Sequence, residues 1–163
     1  MEGNNIKNIR SQSWDIDDVI INHHVIDYNG PGLNVSKNDS ELVRLHFGLR
    51  GSYSFSYVQL DSEYDLSGHH NNIMYTDGFE IVVKNKTDRI ETFGINFTTN
   101  SFVNLAQYGN ELLKRFSDLV IKKQNSILSS EWKTNNLRIQ EIIDDIIHCP
   151  YSEGLRDLLV FSK

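Results

Sequence analysis

The sequence predicts a mainly β domain followed by helices: a β-barrel or sandwich with a C-terminal helical extension. Three observations carry this. Through the first two-thirds of the chain short runs, β-branched or alternating apolar with polar, are separated at short spacing by Gly-, Asn- and Asp-containing turns. Near Thr98 the period changes to three-and-four and does not change back. Strands first and helices afterwards argue against a parallel α/β sheet. The 163 residues fit one domain, with strands in 1–98 and helices in 99–163 packed on them.

The first predicted strand is the β-branched run Val19–Ile26, closed by the turn Asn29-Gly30-Pro31-Gly32. Leu42–Leu49 alternates cleanly. Val43, Leu45, Phe47 and Leu49 share one face, and Leu42, Arg44, His46 and Gly48 the other. After Gly51-Ser52, Tyr53, Phe55 and Tyr57 share a face opposite Ser54 and Ser56. Residues 61–72 read as a polar loop. Ile73–Thr76 and Phe79–Val83 flank the hairpin signal Asp77-Gly78. Phe93, Ile95 and Phe97 mark the last strand. One amphipathic helix is expected from about Thr99 to Val120, weakened at Gly109, and a second from Trp132 to His148, ended by Pro150. Ser152 would cap a third, with Leu155, Leu158 and Leu159 as its apolar side.

Sixteen Lys+Arg against 22 Asp+Glu give a net charge of -6, which excludes a basic nucleic-acid module. No apolar run is long enough for a membrane-spanning helix. Cys149 is the one cysteine, so no intramolecular disulfide forms. The N-terminus lacks the basic and apolar regions of a signal peptide, and the chain reads as cytoplasmic. It ends inside the apolar pattern Leu158-Leu159-Val160-Phe161, as though cut from a longer protein.

Six histidines raise the question of a metal. His23-His24 and His69-His70 are adjacent pairs, so a regular strand turns only one ring of each pair inward. The residues favour surface or hydrogen-bonded histidines over a bound metal, and no cofactor is expected. Cys149 follows the predicted helix end at His148 and reads as an inert buried thiol rather than a nucleophile. No P-loop, nucleophile elbow or dinucleotide fingerprint is present. Arg44 and His46 share a face that suits an anionic or hydroxylated ligand, although a solvated outer face explains them more simply. Tyr53, Phe55 and Tyr57 read as core or as the lining of an apolar pocket, and Tyr75 belongs to the same question. Leu137, Ile142, Ile143, Ile146 and Ile147 form one aliphatic helix stripe and Leu155, Leu158 and Leu159 another. They serve either intrachain packing or a second chain.

Several of these segments resemble one family. Leu42–Gly51 is similar to the first core strand of the N-terminal sensor domain in AraC/XylS-type bacterial transcription regulators. Gly68–Tyr75 resembles their turn-then-strand segment, and Ile90–Phe97 their strand before the first helix. Ile142–Lys163, with His148-Cys149-Pro150-Tyr151 and then Gly154-Leu155, resembles the approach to their long helix, most nearly in members akin to ferric-siderophore-responsive activators. The resemblance implies a cupin-like barrel (a jelly roll, or double-stranded β-helix) that senses a small-molecule effector and forms a homodimer. DNA contact would fall to a helix-turn-helix pair absent from this chain. It implies a regulator rather than an enzyme. A metal-dependent cupin enzyme and a carbohydrate-binding jelly roll are the rivals. The pocket candidates are Arg44, His46, Tyr53, Phe55, Tyr57 and Tyr75, and the interface candidates are the two aliphatic stripes.

Overall fold

The computed structural model describes residues 5–150. Strands β1 (Ile6–Ile16) and β2 (Val19–Tyr28) form a long antiparallel hairpin. Then follow β3 (Gly32–Asn38), β4 (Leu42–Arg50), β5 (Ser52–Tyr57), β6 (Ser62–Ser67), β7 (His70–Thr76), β8 (Phe79–Asn85) and β9 (Arg89–Phe97). Helices α1 (Thr99–Ala106) and α2 (Glu111–Ile121), the short β10 (Ser126–Ile127) and helix α3 (Leu137–Ile147) complete the described chain.

All ladders are antiparallel, in two sheets ordered β1-β2-β9-β4-β7-β10 and β3-β8-β5-β6. Strands β2 to β9 thus pair as 2-9-4-7 and 3-8-5-6, the two interlocked Greek keys of a jelly roll. The predicted cupin-like barrel with helices at its C-terminal end is borne out.

The six-stranded sheet buries both faces. Its outer face carries Phe47, Phe93, Trp14 and Ile21 against Ile143 and Ile146 of α3. Farther along it carries Val43 and Tyr75 against Phe102, Ala106, Phe116 and Val120 of α1 and α2. Its inner face meets the smaller sheet around Tyr28, Tyr53, Phe55, Tyr57, Leu66, Met74 and Ile90. The β4 alternation is therefore reversed from the simple expectation. Its apolar face looks out, to the helices, and its Arg44/His46 face looks into the barrel.

The structure corrects several boundaries. β1 and β3 are additional strands, polar enough to hide their alternation. Residues 61–72 hold β6 and the start of β7, where Tyr64 and Leu66 point inward between exposed residues. The first predicted helix is two. Asn110 accepts a 3.0 Å hydrogen bond from the Leu113 N–H and so starts α2 afresh. At Gly109 a Cβ would fall 2.8 Å from Leu113 Cδ1, so a larger residue requires the Leu113 side chain to shift. Helix α3 starts at Leu137 rather than Trp132, because Asn136 caps it through the Ile139 N–H at 2.9 Å. The expected third helix lies outside the described residues. Among those described, no helix is long and apolar enough to cross a membrane.

Candidate functional site

Strand pleating decides which side chains enter the barrel. Alternate residues face one way, so Arg44 and His46 of β4 meet Tyr53, Phe55 and Tyr57 of β5 and His70 of β7. At the centre the Tyr53 hydroxyl lies 2.9 Å from His46 Nε2 and 2.8 Å from His70 Nε2. A phenol has one hydrogen. Tyr53 therefore donates to one imidazole and accepts from the other, and the two rings carry opposite tautomers at Nε2. The His46 and His70 rings stack with centroids 5.7 Å apart, and His46 also stacks on Phe55 at 5.9 Å.

The network is neutral. Burial, reinforced by the neighbouring His70, pushes His46 down to about 3. Burial likewise lowers His70, against an opposing pull from the Gly68 and Ser67 carbonyls, and raises the Tyr53 hydroxyl. Those carbonyls do not reach hydrogen-bond geometry, and His70 Nδ1 is buried without a partner. Gly48 makes the room for this ring. A Cβ there would overlap the His70 ring at Cε1 and Nε2.

Arg44 lies two residues from His46, or about 7 Å along the same inner strand face. Its guanidinium sits 4.3 Å from the Phe79 ring centroid and donates to Thr76 Oγ1 at 3.2 Å and to the Ser40 carbonyl at 3.2 Å. Burial lowers its pKa, partly offset by the Tyr57 hydroxyl. No salt bridge joins it to a carboxylate among the described residues. A half-buried guanidinium lacking a counter-charge attracts an anion.

The open side between β6 and β7 is closed by the segment that follows α2. It runs antiparallel along β7: Ser126 and Ile127 pair with Tyr75 and Met74, and the Leu128 N–H donates to the Ile73 carbonyl at 2.8 Å. Asn71 and Lys133 exchange two backbone hydrogen bonds, at 2.8 and 3.1 Å. Between these attachments Trp132 dips inward. Its indole meets His70, Tyr64, His46 and Phe55 at centroid distances of 5.4, 5.5, 5.7 and 6.0 Å, every contact near edge-on. Its Nε1–H is buried without an acceptor.

The sequence profile of the N-terminal domain of the regulatory protein PchR matches residues 19–163. The chain belongs to this family of regulatory domains. The expected resemblance to an N-terminal regulator domain is thereby confirmed. No curated protein sequence matches the chain. Among solved structures, the regulatory domain is similar to a cupin domain of an XRE-family transcriptional regulator from Enterobacter cloacae. The identity is 8%, over 55% of this chain and 96% of that one, with a TM-score of 0.45. It is also similar to an HTH-family transcriptional regulator from Vibrio cholerae (9% identity, 56% and 51% coverage, TM-score 0.46). A cupin superfamily protein from Desulfitobacterium hafniense shows 14% identity, 56% and 78% coverage and a TM-score of 0.43. The jelly-roll assignment rests on the strand order, not on these distant likenesses.

Within the regulatory domain, Arg44, His46, Tyr53, Phe55 and Tyr57 converge on the barrel interior. Tyr75 does not. It falls on the odd register of β7, faces α1 and α2, and donates its hydroxyl to Glu41 Oε1 at 2.7 Å. Of the interface candidates, Ile143 and Ile146 are buried against the domain's own sheet, and Ile142 and Ile147 pack partly against the same cluster. These four are core contributors within one chain, because α3 lays its stripe on Trp14 and Phe93. Leu137 alone stands clear, at 71% exposure. Leu155, Leu158 and Leu159 lie outside the described residues. Of the other histidines, His23 bridges Gln12 and Glu91, His24 meets Ser11, and His148 meets Asp144. No group of three His, Cys, Asp or Glu side chains is arranged to hold a metal among the described residues. Sequence reasoning missed His70 and Trp132. The signal for His70 was the glycine directly opposite it at position 48.

Proposed function

We propose that this regulatory domain binds a small aromatic acid inside its jelly roll and transmits that binding, as a homodimer, to a separate helix-turn-helix domain that contacts DNA. The ring would lie among Phe55, Tyr57 and the imidazoles, with its acid group on Arg44. The observation that carries this reading is a buried-face guanidinium and two neutral imidazoles on one inner surface, with no carboxylate paired to them among the described residues. A ligand preferring one state of the domain shifts its population by that difference in affinity. Dimer contact would use the exposed Leu137 and the leucines Leu155, Leu158 and Leu159. Calorimetric titration with benzoate, phenylacetate and indole-3-acetate tests the pocket. Saturable binding is expected, weakened roughly tenfold or more in Arg44→Gln by loss of a charge-assisted hydrogen bond. Absence of saturable binding to the folded domain, or equal affinity in the variant, overturns the reading.

A further inference from the structure

The four rings around Trp132 form a cage on one side chain. Ser130, Glu131, Lys133 and Thr134 on either side of it are exposed. The indole N–H gains no acceptor from the cage. A buried donor without a partner forfeits the hydrogen bond it had in water, so the cage suits the indole in shape and leaves its polar edge unsatisfied. His70 Nδ1, on one of the cage's own rings, is unsatisfied too. An aromatic ring that brought a polar edge group would fill the same space and answer an orphan.

What Trp132 holds in place is equally specific. Three residues on, Asn135 is 2% exposed. Its side chain accepts from Asn71 Nδ2 at 2.8 Å and donates to the Gly48 carbonyl at 3.0 Å. Its own carbonyl accepts from Gln140 Nε2 of α3 at 2.8 Å, and Asn136 caps that helix. The wall of the cage (Gly48 beneath His70), the strap and the first turn of α3 are therefore one hydrogen-bonded chain.

We infer that the Trp132 indole is the protein's own occupant of its effector site: the cage of His46, Phe55, Tyr64 and His70 takes a flat, indole-sized aromatic ring, which enters by displacing Trp132 and thereby loosens Asn135 and the start of α3. This rests on the proposed interior site and adds how it is filled, opened and read. Trp132 acts as an intramolecular competitor. The apparent affinity of any ligand is reduced by the fraction of molecules in which the cage is empty.

Two measurements test it. The first uses indole as the probe. Trp132→Gly, with its fold checked by circular dichroism, should bind indole saturably and about tenfold or more tighter than the unaltered domain, as expected for a minor open state. A folded variant that does not bind indole, or equal binding by both proteins, overturns the inference. The second keeps Trp132 and serves even where the glycine variant fails to fold. In Trp14→Phe, the remaining tryptophan should shift its emission to the red and become accessible to acrylamide as whichever aromatic acid binds calorimetrically is added. The amide of Ile139 should exchange faster in the same titration. Calorimetric binding with unchanged Trp132 emission refutes displacement while leaving the interior site standing. Absence of calorimetric binding removes the site itself. A red shift with unchanged Ile139 exchange refutes the link to α3.

Discussion

The two faces of the larger sheet are built from the same strands and have opposite chemistry. The outer face, under the helices, is aliphatic and aromatic, with Phe47 and Phe93 in one cluster and Val43, Phe97, Phe102 and Phe116 in another. The inner face holds Arg44, His46, His70, Asn72 and Thr76 among its rings. Both surfaces gather folding free energy by burying apolar side chains. The inner surface adds several buried polar groups, among them His70 Nδ1 and Trp132 Nε1 without a partner, while the outer face leaves one such atom, Trp14 Nε1. Polar residues kept in an interior that apolar ones would fill more stably point to a use other than stability.

The largest test of that contrast is truncation on the outer face. Phe93 is 1% exposed, with Trp14 and Phe47 at centroid distances of 6.4 and 6.2 Å. Phe93→Ala should cost about 3–5 kcal/mol in urea denaturation. A loss below 1 kcal/mol would show that α3 is not seated there as described.

The second test concerns pH. His46 titrates at about 3 in the folded domain against 6.5 for an exposed imidazole. Below about pH 6.5 the unfolded chain takes up a proton that the folded one refuses. Stability is therefore complete above that value and falls as pH drops toward 3, by up to about 1.4 kcal/mol per pH unit from this residue. His70 and His24, also lowered by burial, act in the same direction. Urea midpoints at pH 7 and pH 5 should differ clearly less in His46→Gln. Identical slopes would place His46 in water.

The smallest effect separates the helices from both faces. Asn110→Ala removes only the cap of α2 and should cost about 1 kcal/mol at any pH between 5 and 7. A pH-dependent loss would mean that the helical layer and the inner network are coupled more tightly than their separate clusters show.

Fold class was legible because β4, β5, β8 and β9 alternate with bulky residues, and because the helices follow the strands. β1 and β6 escaped because edge strands carry polar residues on their open faces, so Ile6–Ile16 and Ser62–Ser67 lack a clear period. The interior was half legible. Two-residue periodicity grouped Arg44 with His46 and Tyr53 with Phe55, but no periodicity says which face looks inward. Here the more polar face of β4 does, because helices claim the apolar one. Tyr75 was grouped with the pocket by its proximity to a hairpin, and its register puts it on the other side of the sheet. Trp132 was read into a helix because Leu137 and Ile139 extend its pattern backward. The Asn135-Asn136 pair that stops that extension is a capping signal readable from sequence alone.

The strap along β7 has a consequence for solubility. Without Ser126, Ile127, Leu128 and Lys133 beside it, β7 would be a bare sheet edge, with unpaired N–H and C=O groups ready to pair with another chain. The segment that places Trp132 in the cage is thus also the edge guard of the larger sheet. Any movement that empties the cage and peels Lys133 from Asn71 offers that edge to a neighbour, so an open domain is also a more adhesive one.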